Sequence, residues 1–128
     1  MHELSLAMSI VETATALARQ QSADRVLNVT VRIGQLATIH EDALRYSFDL
    51  ARTATPLAES SLTVIPVPVH IWCPVCESNR ELPSIQRFAC PACGTPSGDI
   101  RAGRELEIES ITLDTPDTEM SDGQTENS

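Results

Sequence analysis

Lysine is missing from this 128-residue chain, whose nine basic residues are all arginine and face eighteen acids, for a net charge of -9. A field of that sign repels phosphate backbones and argues against a nucleic-acid partner. Aromatic residues are scarce as well, at 3%, with one Trp, one Tyr and two Phe. There is then no stacking platform for bases, and the core must be built from Leu, Ile, Val and Ala with help from some other source. No hydrophobic run approaches the roughly 18 residues that a membrane span needs. The first twenty residues carry His2, Glu3 and Glu12 without a basic, continuously apolar start, so no secretory signal is expected. The expected location is the cytosol, where thiols stay reduced and paired cysteines more often ligate metals than form disulfides. No ordered grouping of acid, base and nucleophile is visible, so no enzyme is expected.

What is present divides into short periodic segments. Leu4, Ala7, Met8, Val11, Ala14, Leu17 and Ala18 recur at steps of three and four, which predicts an amphipathic helix over residues 4–20 with these side chains inward. Leu27, Val29, Val31 and Ile33 alternate with polar residues up to Gly34, the pattern of a half-buried strand. Thr38 and Glu41 have the spacing of a capping box, so a second helix is expected from about His40 to Arg52, burying Leu44, Phe48 and Ala51. Residues 61–71 are rich in Val and Ile, but Pro66 and Pro68 cannot donate ladder hydrogen bonds, so this strand should lie at an edge or break early. Leu106 and Ile108 alternate with Glu105, Glu107 and Glu109, predicting a strand with an acidic outer face that returns to pair with the earlier ones. The last fourteen residues are polar and acidic and read as a disordered tail.

The most specific signal is Cys73-Pro-Val-Cys76, thirteen intervening residues, then Cys90-Pro-Ala-Cys93-Gly94. Two residues between cysteines let a tight turn present both sulfurs to one ion, and two such turns complete a tetrahedron. Zinc is the favoured occupant, and a closed set of four sulfurs makes its role structural. A rubredoxin-like iron site and a pair of disulfides are the alternatives. In so short a segment, with Trp72, Leu82, Ile85 and Phe88 as nearly its only large apolar groups, the metal should supply most of the local folding free energy.

The chain starts Met1-His2-Glu3. A free amine on Met1 with the backbone nitrogen and imidazole of His2 can close two adjacent chelate rings around nickel(II) or copper(II). On composition alone, His2 reads first as an exposed residue at a frayed end and only second as a ligand. His40 and His70 are the other histidines; each reads as a solvated loop residue or as a further ligand, with His70 ranked slightly ahead because it lies three residues before the first knuckle.

Met1-His2-Glu3-Leu4-Ser5 followed by a helix, Val31-Arg32-Ile33-Gly34, Glu41-Asp42-Ala43-Leu44-Arg45 with Phe48, the two knuckles, and Gly103-Arg104-Glu105-Leu106 with Ile108, Ser110 and Ile111 together closely resemble the HypA/HybF family of hydrogenase maturation nickel chaperones. The resemblance spans nearly all of residues 1–114. It implies that His2 is the principal nickel ligand, with Met1 contributing its amine and Glu3 its backbone nitrogen or side chain. It places the zinc ligands on Cys73, Cys76, Cys90 and Cys93. It further implies delivery of Ni(II) to a [NiFe]-hydrogenase large subunit together with a maturation GTPase, with no catalytic turnover.

The expected architecture is α+β: a small three-stranded sheet with two helices, plus an inserted zinc-ribbon-like module. The expected division is a nickel-binding domain over 1–69 and 104–114, a zinc module over 70–103 and an acidic tail over 115–128. A monomer or homodimer with neither nucleic-acid nor membrane partners is expected. The competing class is an adaptor whose zinc module merely presents a surface to another protein.

Overall fold

A computed structural model describes residues 2–115. Met1, and the expected acidic tail from residue 116 onward, lie outside the described residues. The element order is α1 (Glu3–Gln20), β1 (Arg25–Gly34), a 3-10 turn at Gln35–Ala37, α2 (Glu41–Ala51), β2 (Ser61–Val67), β3 (His70–Cys73), β4 (Ser78–Glu81), β5 (Ile100–Ala102) and β6 (Leu106–Asp114). This is the anticipated α+β order, with the cysteine segment forming a second three-stranded sheet of its own. One sheet runs β2-β1-β6 and the other β4-β3-β5. No helix among the described residues is long and apolar enough to cross a membrane.

The described residues divide into two compact units, one of residues 2–30, 40–63 and 108–115 and the other of residues 31–39 and 64–107. In the first unit, α1 packs against α2. Glu3 in the first turn of α1 and Arg19 in its last complement the helix dipole. The buried face of α1 is Ala7, Ile10, Val11, Ala14, Thr15 and Ala18. Two residues expected inward are not: Leu4 and Met8 are 48% and 49% exposed. The buried stripe is centred on Ala7, Ile10, Ala14 and Ala18, which leaves Leu4 and Met8 at its rim.

The second helix buries Leu44 and Phe48 as expected and adds Ser47, while Ala51 is only half-buried. The expected capping box is absent. Thr38 adopts a left-handed conformation with φ 56°, and His40 is the N-cap. The Thr38 hydroxyl donates instead to the Ala37 carbonyl at 2.7 Å, and the Glu41 carboxylate accepts from Arg45 Nε at 3.0 Å.

In β1, Val29, Val31 and Ile33 are buried in alternation, but Val26 takes the inward place expected of Leu27, which is 42% exposed. The phase slips where Val26 donates its backbone N–H to Pro56 O at 2.9 Å and leaves the regular alternation. The strand that begins at Ser61 is an edge strand and ends at Val67, just before Pro68, as the prolines required. After the cysteine segment, β6 returns to pair with β1.

The second unit has its own small core of Val69, Ile71 and Leu82, with Leu36, Phe88 and Ile100 against it. Ile85, expected to help fill it, is 37% exposed. The closing of this unit depends on a backbone crossing. Gly34 N–H donates to Glu105 O at 2.7 Å and Leu36 N–H to Gly103 O at 2.8 Å. A Cβ at Gly34 would sit 2.1 Å from Gly103 O, and Gly103 itself has φ +115°. Only glycine permits both the close approach and that dihedral.

Candidate metal centres

The strand β3 ends on Cys73, and the turn that follows returns the chain as β4 with Cys73 opposite Ser78. That turn is the first knuckle. Cys76 N–H donates to Cys73 Sγ at 3.3 Å and Glu77 N–H to Cys73 O at 2.8 Å. The second knuckle repeats the theme, with Gly94 N–H donating to Cys90 O at 2.8 Å. In both, the residue after the second cysteine is left-handed, with φ 53° at Glu77 and φ 80° at Gly94. The turn needs that conformation, which Gly94 supplies freely and Glu77 only at a cost.

The two knuckles are brought together by a bridge between Ala89 and Pro96 and by the Ser97 hydroxyl donating to Trp72 O at 2.6 Å. The result gathers all four sulfurs within 4.8 Å of one another. Cys73 and Cys93 are 3.6 Å apart and Cys76 and Cys90 are 3.9 Å apart. A tetrahedron with metal–sulfur bonds of about 2.3 Å has edges of about 3.8 Å, so the donor set fits one zinc-sized ion. All four cysteines are free thiols, which sets the disulfide reading aside.

The electrostatics of the cluster call for a cation. The Arg80 guanidinium beside Cys76 draws its thiol down, but hydrogen bonding with Cys93, Cys73 and Cys90 outweighs it and pushes Cys76 up to about 11. The Thr95 hydroxyl and backbone pull Cys93 down to about 6. Four crowded sulfurs therefore do not all become anions unaided, and a divalent ion would displace the remaining protons. Arg80 and Thr95 were not legible as participants. Their approach to the sulfurs follows from strand register and knuckle geometry, and their identities alone carry no signal of it.

At the chain start, His2 is exposed and serves as the N-cap of α1 without a side-chain cap. Glu3 reaches across to α2, where its Oε2 accepts the backbone N–H of His40 at 3.1 Å. That N–H and Glu3's own hold the carboxyl below the usual glutamate range. The first unit thus brings His2, Glu3 and His40 into one neighbourhood. His70 belongs to the other unit, at the start of β3, with its Nε2 3.8 Å from Glu81 Oε1. Met1, the remaining expected nickel ligand, lies outside the described residues.

A family model described as "Hydrogenase/urease nickel incorporation, metallochaperone, hypA" matches residues 1–113. The chain is 46% identical over 116 residues to a hydrogenase maturation factor HypA of Chloroflexus aggregans, covering 91% of this chain and 100% of the relative. A HypA of Methanothermobacter thermautotrophicus is 37% identical over 123 residues, covering 91% of this chain and 100% of the relative. Among solved structures, the solution structure of the Ni metallochaperone HypA from Helicobacter pylori matches with a TM-score of 0.62 at 20% identity, covering 90% of this chain and 99% of that one. That last likeness concerns the fold alone.

Proposed function

The chain belongs to the HypA family of hydrogenase/urease nickel-incorporation metallochaperones, and on that footing we propose that it captures Ni(II) through residues of its amino terminus and hands it on during assembly of a [NiFe]-hydrogenase. The observation that carries this reading is the neighbourhood of an exposed His2 with Glu3, whose carboxylate is tied to the head of α2. In this reading the His2 imidazole is the principal ligand, the Met1 amine and Glu3 complete the chain-start donors, and His40 is a better candidate than His70 for a further one. Ligands at a helix start can exchange one at a time, which suits a cargo that must be released. The Glu3–His40 hydrogen bond steadies the set without closing it.

The four cysteines hold zinc in the same reading. Zinc would supply the two positive charges that allow four thiolates to sit together, and the closed sulfur set leaves no place for a substrate. The module over 70–103 then acts as a rigid platform, and the partners in delivery are the maturation GTPase and the hydrogenase large subunit.

The test is metal analysis and calorimetric nickel titration of the untagged chain. His2→Ala should abolish tight nickel binding and leave zinc content and helix signal unchanged; an extra peptide ahead of Met1 should do the same. His40→Ala should weaken nickel binding more than His70→Ala. Stoichiometric nickel binding by His2→Ala with affinity unchanged would overturn the assignment and favour the adaptor class.

A further inference from the structure

In the first unit, α1 and α2 leave an apolar groove of about 690 Å³ between them, lined by Leu4, Met8, Val11, Leu50 and Ala51 with the exposed Glu12 and Arg19 at its rim. Leu4, Met8 and Leu50 are 48%, 49% and 56% exposed, and three large apolar side chains that share one open face mark a surface that something covers. A groove of this volume takes a run of several residues, not a single side chain.

The place where the chain leaves the unit points to the occupant. Asp24 N–H donates to Asp114 O at 3.2 Å and Arg25 Nε donates to Asp114 Oδ2 at 3.1 Å, which fixes the end of β6 just past the carboxyl end of α1. Val26 N–H donates to Pro56 O, and the adjacent Thr55 lines the groove. The chain therefore leaves the unit at the end of the groove marked by Arg19 and Thr55. Residues 116–128 follow, and Met120 is their one large apolar side chain. From Thr115 to Met120 an extended chain spans about 17 Å. From Arg19 back to Met8 along α1 the distance is about 16 Å at a rise of roughly 1.5 Å per residue. Met120 thus reaches the stretch where Met8 and Leu50 are open, and its unbranched, polarizable side chain suits an irregular apolar surface. Charge agrees locally. The Arg19 guanidinium has no carboxylate partner among the described residues, and Asp117 and Glu119 stand between the chain's exit and Met120. The chain as a whole is acidic, so a free acidic peptide would be repelled; a tethered one is held at an effective concentration in the millimolar range.

We propose that residues 116–128 fold back along the α1–α2 groove as a strap, with Met120 against Met8 and Leu50 and an acid of the strap on Arg19. The strap is autoinhibitory: a partner that needs this face must first displace it.

The experiment compares the full chain with Met120→Asp, Arg19→Glu and the charge-swapped pair Arg19→Glu with Glu119→Arg, by amide NMR and by fluorescence of the apolar dye ANS. Met120 follows the last strand, so its substitution tests the contact without altering the core. Met120→Asp should shift the amides of Met8, Val11 and Leu50, leave those of β3, β4 and β5 in place, and raise dye fluorescence several-fold. Arg19→Glu should shift the same amides to a smaller extent, and the swapped pair should return them toward wild type. Groove amides at their wild-type positions in Met120→Asp, with dye binding unchanged, would overturn the proposal and leave the face to another protein. Groove amides that move on dilution, with a falling sedimentation mass and no response to Met120→Asp, would overturn it in favour of a second copy of this chain.

Discussion

A methyl group at Gly34 would lie 2.1 Å from Gly103 O and 2.6 Å from Arg104 N, and backbone atoms of a paired segment cannot move aside cheaply. Gly34→Ala should therefore destabilise the fold by about 3 kcal/mol, read from urea unfolding, although the change is a single carbon on a strand. Glu3 sets a different kind of expectation. Its carboxyl is held low by the His40 N–H and by its own, so the folded chain keeps it ionised to lower pH than the unfolded chain does. The stabilisation from this contact is complete above the ordinary glutamate value and is lost only as pH falls through the lowered one. In an NMR titration the His40 amide should shift with the Glu3 carboxyl at a midpoint below that of a free glutamate. A midpoint at or above the ordinary value would remove Glu3 from its place at the head of α2.

At the level of elements, the start of α2 shows how a sequence signature can be met by a different physical solution. Thr38 and Glu41 have capping-box spacing, yet Thr38 is left-handed and Glu41 pairs with Arg45, so the N-cap N–H of His40 is satisfied from another helix by Glu3. The sign of one substitution separates the two arrangements. Thr38→Gly relieves a left-handed β-branched residue and should stabilise by up to about 1 kcal/mol in thermal unfolding, whereas loss of a genuine cap would reduce stability. Within α2, Phe48 is 2% exposed and Leu44 0%, and they are the large side chains this short helix commits to the core. Phe48→Ala should cost about 3–5 kcal/mol by denaturant unfolding. The Arg52 guanidinium lies over the Phe48 ring at 5.6 Å and donates to Ser60 O, which ties the end of α2 to the approach of β2.

For the molecule as a whole, the two units answer to different sources of stability. Around the cysteine segment, the second unit's apolar cluster is built on Val69, Ile71 and Leu82, which is small for the length of chain it orders. Removing metal with a strong chelator should collapse the amide dispersion of β3, β4 and β5 in an NMR spectrum while the α1 and α2 amides stay in place; retention of the β3–β5 signals would show that the sulfurs are not what holds them. The helices, the edge character of β2 and the return of β6 were legible in the sequence because each rests on local periodicity, on proline chemistry or on the need of a patterned strand for a partner. The inward face of α1 differs from the periodicity at Leu4 and Met8, since periodicity gives the spacing of a stripe and not its angle, which packing against the rest of the unit decides. The four sulfurs were legible because a two-residue gap constrains a turn on its own. Arg80, Thr95 and the Glu3–His40 contact were not, because each joins segments far apart in the chain, and only the register of β4 on β3 and the packing of α1 on α2 decide which side chains meet. Thus the spacing of the four cysteines and most elements were written in the sequence by short-range chemistry, while the partners of the candidate site residues were decided by tertiary structure, through distances that no local pattern encodes.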